Sequence, residues 1–222
     1  MSSANRLALF DCDGTLVDSQ HNIVEAMNRC FDTHKLAQPN RHDVLAVIGL
    51  SLPNAMARLL PDAEADFHDH IAEQYKLAFQ AMRRESTLDE PLYPGIAALI
   101  LKLVSDGWML GVATGKSDRG LNLCLNTHGI AEHFVTLQTA DRHPSKPHPS
   151  MALLAMDEAG ALPDTTIMIG DTSYDMEMAA NARIRGIGVD WGYHTPEELV
   201  AAGASVVAVD TDDLSRHIAA HG

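Results

Sequence analysis

Leu7-Ala8-Leu9-Phe10 is an unbroken apolar run that gives way at once to Asp11-Cys12-Asp13-Gly14-Thr15. A run this short, ending on polar residues and glycine, predicts a β-strand buried on both faces. The period then changes. Ile23, Met27, Cys30 and Phe31 fall on one helical face, as do Leu52, Met56, Leu59 and Leu60, and after them Phe67, Ile71, Tyr75, Ala78, Phe79 and Met82. Pro39-Asn40, Gly49 and Pro61-Asp62 punctuate these helices, and Pro91 to Gly95 closes the block. Residues 18 to 91 therefore read as a helical insertion behind the first strand.

Beyond the insertion, strands and helices alternate. Ile96, Leu99, Ile100 and Leu103 predict a helix, Asp106-Gly107 a turn, and Met109 to Ala113 a strand. A helix through Leu121 to Leu125 stops near Gly129, and a strand covers Phe134 to Leu137. After a loop with Pro144, Pro147 and Pro149 come a helix around Met151 to Ala159, a strand Thr166 to Ile169 and a helix Ser173 to Ala182. A short strand Gly186 to Val189, a helix from about Pro196 and a strand Ser205 to Val209 complete the pattern. Apolar strands in regular alternation with helices predict an α/β fold, a parallel sheet covered on both faces. Residues 1–17 and 92–222 would form that core.

Composition narrows the function classes. The chain has 222 residues, 46% of them apolar, enough for one core domain and a smaller insertion. Sixteen basic against thirty acidic residues give a formal charge of −14, with no local basic patch, which sets aside nucleic-acid and anionic-membrane surfaces. No apolar run reaches the ~18 residues of a membrane span, and Met1-Ser2-Ser3-Ala4-Asn5-Arg6 carries no signal-peptide pattern. Cys12, Cys30 and Cys124 are too few and scattered for a disulfide framework or a zinc site, and the twelve histidines show no ligand spacing. A soluble protein of the reducing cytoplasm is expected.

Four polar groups sit just past predicted strands, on the edge where an open α/β sheet collects ligands: Asp11 to Thr15, Thr114-Gly115-Lys116, Lys146, and Gly170-Asp171-Thr172-Ser173-Tyr174-Asp175. The pair Asp11 and Asp13 alone could bind a cation, attack an electrophile or move protons. Such D-x-D pairs also occur in metal-dependent glycosyltransferases and in surface turns. The four groups together are more specific. Asp11, Asp13, Asp171 and Asp175 cannot all stay ionised in one pocket without a compensating cation, and oxygen-only ligands favour Mg²⁺. Lys146 adds fixed positive charge, while the Thr114 hydroxyl and backbone N–H groups near Gly115 suit phosphate oxygens. Cys12 and Asp13 complete the expected phosphate-binding set, the Cys12 thiol being read as a small residue tucked beside the nucleophile.

The sum is phosphoryl transfer. Asp11 would attack phosphorus, and Asp13 would protonate the leaving oxygen and then take a proton from water. Asp175 is read as a supporting residue behind the metal, and Ser117 as the cap of the helix after the second strand. Gly111 to Ser117 superficially resembles a nucleotide P-loop. Its glycines are separated by three residues instead of four, so that reading fails.

These motifs, in this order, resemble the haloacid-dehalogenase superfamily over nearly the whole chain. Phe10 to Ser19 is similar to its first motif, Val112 to Lys116 to its second, Lys146-Pro147 to its third and Ile169 to Met176 to its fourth. The resemblance implies a Rossmann-like core with an all-helical cap inserted after the first motif. It also implies Mg²⁺ on the Asp11 and Asp171 carboxylates and the Asp13 backbone carbonyl, with Asp175 acting through water. Ile48-Gly49-Leu50-Ser51-Leu52 and Val189-Asp190-Trp191-Gly192-Tyr193 look most like phosphoglycolate-phosphatase-type members, which usually carry Asn-Lys where this chain has Gly115-Lys116.

The expected activity is Mg²⁺-dependent hydrolysis of a small phosphorylated metabolite, phosphoglycolate-like, through an aspartyl-phosphate. A sugar-phosphate mutase is the nearest alternative, and an inactive phosphate-sensing binding protein the next. Gln20, His21, Arg41 and Ser51 are candidate cap contacts to the leaving group, each read equally as an ordinary helix or loop residue, and the sequence leaves the contacts open.

Overall fold

The computed structural model describes residues 5–221; residues 1–4 and 222, which the sequence assigns to the core, lie outside the described residues. Six strands, β1 (Asn5–Phe10), β2 (Met109–Thr114), β3 (Phe134–Thr139), β4 (Ala161–Gly170), β5 (Arg185–Val189) and β6 (Val206–Ala208), pair in parallel in the order β3-β2-β1-β4-β5-β6. This is the doubly wound order. Its direction reverses at β1, which pairs β2 on one side and β4 on the other, and the crevice outside the carboxyl ends there is the place for ligands.

Strand β1 is central because both its faces are apolar. Ala8 and Phe10 pack into a core with Ile96, Leu99 and Ile100 of α5 (Ile96–Ser105) and Leu121 and Leu125 of α6 (Asp118–Thr127). Leu7 and Leu9 pack on the other face with Met151 and Ala155 of α7 (Ser150–Ala159) and Met178 of α8 (Ser173–Ala182). All four β1 side chains are fully buried, each contributing about 1.5–3 kcal/mol of transfer free energy for the larger ones. Strand β4 starts earlier than Thr166 because Ala161 pairs with Asn5 before the register shifts and Leu7 meets Thr166. The sequence pattern gives no sign of this irregular start.

After the short helix α9 (Pro196–Ala201) and β6 comes α10 (Thr211–Ala219), beyond the last element that the apolar pattern predicts. Its signals are present: the Asp210 side chain accepts from the Asp213 backbone N–H as an N-cap, and Leu214 and Ile218, one turn apart, are fully buried.

The insertion is all-helical: α1 (Gln20–Thr33), α2 (Arg41–Leu45), α3 (Leu52–Leu59) and α4 (Ala65–Arg84). It has its own apolar cluster, in which Met27 and Phe31 of α1 meet Met56 of α3 and Ile71, Tyr75 and Met82 of α4. Phe67, placed on the buried face by its period, is instead 38% exposed, as the third residue of α4, in its first turn. The two chain crossings lie side by side: Val17 bridges Leu92 in antiparallel fashion, Asp18 N–H donates to Pro91 O at 2.9 Å and Tyr93 N–H to Leu16 O at 3.0 Å. Among the described residues no helix is long and apolar enough to cross a membrane.

Candidate active site

Because β1, β2 and β4 are parallel neighbours, their carboxyl ends deliver Asp11, Thr114 and Asp171 to one place, and all three are essentially buried. The Asp11 backbone N–H donates to Ile169 O at 2.8 Å, so the ladder between β1 and β4 continues into the turn that follows β1. Next to it Gly14 turns the chain at φ 86°, and a Cβ there would stand 2.2 Å from Asp171 Oδ2. Only glycine allows both the left-handed turn and that approach.

Asp171 is held at both oxygens: Thr15 Oγ1 donates to Oδ1 at 2.8 Å and the Tyr193 N–H to Oδ2 at 3.0 Å. Asp175 lies within the first turn of α8, where its Oδ2 accepts from the N–H and the hydroxyl of Thr172 in a capping box. Its Oδ1 accepts from Lys146 Nζ at 2.6 Å. The same ammonium stands 2.9 Å from Asp11 Oδ1 as an ion pair. Among the described residues neither oxygen of Asp11 accepts a hydrogen bond of good geometry, although both are buried.

Asp11, Asp171 and Asp175 each offer an oxygen within 4.8 Å of the others. Burial pushes the Asp11 carboxyl up to about 7 and holds Asp171 well above the usual range; neighbouring carboxylates add to both shifts, and Lys146 opposes the first. For Lys146, burial disfavours the charge, but Asp11 and Asp175 more than offset it and hold the ammonium above its ordinary range. Three carboxylates with one buried lysine leave an excess of negative charge. A divalent cation fits both this imbalance and the open oxygens of Asp11, and an all-oxygen donor set suits Mg²⁺.

The Asp13 side chain is not part of that triad. Its partners are different ones: Lys116 Nζ donates to its Oδ1 at 2.6 Å, and the Ser19 hydroxyl donates to the same oxygen. Lys116 also reaches Glu90 Oε1 at 3.0 Å, and Glu90 in turn accepts from Arg83 Nη2 at 3.2 Å. Burial opposes the Lys116 charge, yet Asp13 and Glu90 hold it well above the ordinary lysine range. The Cys12 thiol turns into the core against Cys124, so only its backbone is left for a ligand. Thr114 Oγ1 accepts from the Lys116 N–H at 3.2 Å, which leaves the hydroxyl proton free to be donated. Ser117 caps α6 as expected, its hydroxyl accepting from the Gly120 N–H at 3.1 Å.

Above these residues lies a cavity of about 270 Å³ between the carboxyl edge of the sheet and the inserted helices. Asp11, Asp13, Thr114, Gly115 and Lys116 line its floor. The four candidate cap contacts do not line it. His21 and Arg41 are exposed, Arg41 is bonded to Gln20, and the Ser51 N–H donates to Ser145 Oγ at 2.8 Å on the core loop that carries Lys146. Tyr75, Phe79 and Gln80 of α4 line it instead.

Residues 8–189 match the model of the haloacid dehalogenase-like hydrolases, and a probable phosphatase, IndB, of Dickeya dadantii is 37% identical over 210 residues, covering 92% of this chain and 89% of that protein. The chain belongs to the haloacid dehalogenase-like hydrolase family. A pyrophosphatase, PpaX, of Bacillus velezensis is 31% identical, covering 93% of each chain, and a phosphoglycolate phosphatase of Pseudomonas putida is 29% identical, covering 92% of this chain and 76% of that one. The crystal structure of a predicted phosphatase from Clostridium acetobutylicum superposes with a TM-score of 0.88 at 26% identity, covering 98% of this chain and 100% of the other. The protein is thus a phosphatase of the haloacid dehalogenase-like family, a phosphoric monoester hydrolase with a Rossmann-like core.

The departure at Gly115 in this haloacid dehalogenase-like chain has a local cause. A Cβ at 115 would meet the carbonyl oxygens of Leu50 at 2.5 Å and Gly49 at 3.0 Å, so the turn after β2 touches the backbone of the insertion. Backbone carbonyls cannot swing aside as a flexible side chain does. Gly115→Ala is expected to destabilise by about 1–3 kcal/mol and to raise KM several-fold by lifting the insertion off the sheet; urea unfolding and phosphate-release kinetics read the two effects.

Proposed function

We propose that the protein is a Mg²⁺-dependent phosphatase that hydrolyses a small organic phosphomonoester through an aspartyl-phosphate on Asp11. The observation that carries the reading is Asp11 itself, a buried carboxylate that accepts no hydrogen bond of good geometry among the described residues, facing a cavity and flanked by Lys146 at 2.9 Å and by the Asp171 and Asp175 oxygens. Asp11, Asp171 and the Asp13 backbone would hold the cation, with Asp175 orienting Lys146 behind them. When bound, Mg²⁺ neutralises charge on the phosphoryl oxygens and on the carboxylates around them.

The chain's own residues supply the rest. Asp11 attacks phosphorus while Lys146 and the Thr114 hydroxyl bind the non-bridging oxygens. The bond to the leaving oxygen breaks, and protonated Asp13 gives that oxygen its proton. Lys116 and Ser19 fix Asp13 Oδ1, so Oδ2 is the oxygen presented to the reacting atoms. Asp13, now ionised, takes a proton from water, which attacks phosphorus and releases Asp11 and inorganic phosphate. Residues 1–17 and 92–222 are the catalytic core in this reading, and residues 18–91 the cap, divided at the paired crossings of Val17 and Leu92. The reducing cytoplasm is the compartment that suits three buried free thiols.

Phosphate release from a panel of small phosphoesters, with Mg²⁺ and with EDTA, tests the reading. Release with neither Asp11 nor metal required would overturn it. Asp13→Asn is expected to lower kcat about 10²–10⁴-fold. Because the second step suffers as well, acid-quenched intact-mass spectra should show a phosphoryl adduct that the wild type does not accumulate. A slow mutant without any adduct would place Asp13 in the first step alone.

A further inference from the structure

We propose that the alcohol part of the substrate is an apolar body, aliphatic or aromatic and larger than two carbons. This deepens the phosphatase reading, on which it rests, by naming the leaving group's chemistry. The cavity floor is polar, as a phosphate requires, but the walls contributed by the insertion are mostly apolar, with Lys76, Gln80, Arg83 and Arg84 of α4 as the polar members. Ile23 and Met27 of α1, Val47 and Ile48 after α2, and Tyr75 and Phe79 of α4 surround the space above Asp11 and Asp13. Tyr75 and Phe79 lie one helical turn apart with ring centroids 6.0 Å from each other, so together they form an aromatic side to the cavity.

Charge pairing argues against a two-carbon acid. A substrate carboxylate beside the phosphate needs an unshared cation within the cavity, since burying it unpaired is strongly unfavourable. The lining cations that are not exposed are already engaged: Lys116 by Asp13 and Glu90, Arg83 by Glu90, and Lys76 by Glu73. Arg84 and Arg119 line the cavity too, but as exposed side chains. A sugar fares no better against these walls, because Gln80 is a single amide and most of the hydroxyls would lose water and meet methyl, thioether and ring carbons. An apolar group loses nothing there and gains the burial.

Purified full-length chain with saturating Mg²⁺ should be compared on benzyl phosphate, phosphoglycolate and glucose 6-phosphate, all esters of unactivated alcohols, with p-nitrophenyl phosphate as an activated control. Expected is a kcat/KM for benzyl phosphate at least about tenfold above both others, the discrimination an apolar pocket provides. Parity, or a preference for phosphoglycolate or the sugar, overturns the apolar leaving group and leaves the phosphatase reading in place. No release from any of the four, the activated control included, overturns both. Phe79→Ala should lower the ratio of benzyl phosphate to phosphoglycolate about tenfold, and Phe79→Leu, which keeps the wall apolar, should retain most of it. A ratio indifferent to both substitutions, in variants with wild-type circular dichroism, also overturns the inference.

Discussion

Asp11→Asn is expected to lower phosphate release by about 10³-fold or more while leaving the protein at least as stable as the wild type. The two halves have separate causes. An amide cannot form the acyl-phosphate bond, so the first displacement is lost whatever remains of binding. Stability follows from charge: Asp11 and Asp175 share one buried ammonium with Asp171 close by, and burial, with the neighbouring carboxylates adding to it and Lys146 opposing it, pushes the Asp11 carboxyl up to about 7. Asparagine keeps the shape and removes one of the competing negative charges. Without metal, thermal unfolding of Asp11→Asn should therefore occur at or above the wild-type temperature. Added Mg²⁺ should raise the wild-type transition by mass action and raise that of Asp11→Asn much less, since one of its ligands is gone. A correctly folded Asp11→Asn that still turns over at wild-type rate sinks the aspartyl-phosphate mechanism. Equal Mg²⁺ stabilisation of the two proteins would move the cation away from Asp11.

How much of this the sequence discloses depends on the range of the interaction. Leu7 to Phe10 announces β1 because both faces of a central parallel strand must be apolar, and the same holds for Met109 to Ala113 and Thr166 to Ile169. Asp11, Thr114 and Asp171 are legible as a site because each follows such a strand and parallel topology brings those ends together. Helix α10 is hidden behind a strand of only three residues and shows two fully buried apolar positions in nine. Glu90 and Ser19 belong to the crossings between insertion and core, and Tyr193 to the loop after β5. Their contacts with Lys116, Asp13 and Asp171 depend on tertiary placement that no local pattern carries. The residues that wall the cavity are illegible in the sequence for a different reason. Tyr75 and Phe79 have the period of core residues, and period cannot distinguish a side chain that packs against its neighbour from one that walls a cavity.

Lys146→Met should produce the largest loss of stability at this site, about 3–5 kcal/mol, and with it a fall in kcat of about 10²–10³-fold. Lysine 146 is fully buried between Asp11 and Asp175, at 2.9 Å and 2.6 Å. Methionine fills much the same volume, so the deficit comes from the two carboxylates left without their cation in a dry site, not from a void. For a chain of this size the transition should drop by about 10 °C. The electrostatic account makes a second demand. Adding Asp175→Asn to Lys146→Met removes one of the stranded charges while the amide oxygen can still cap α8, so the double variant should be more stable than Lys146→Met alone, with a coupling of about 1–3 kcal/mol. Activity should not return with stability, because the cation that meets the phosphoryl oxygens is still missing. If the two substitutions were simply additive in denaturant unfolding, Lys146 would be held by packing rather than by its partners. Recovery of kcat in the double variant would remove it from the chemistry altogether.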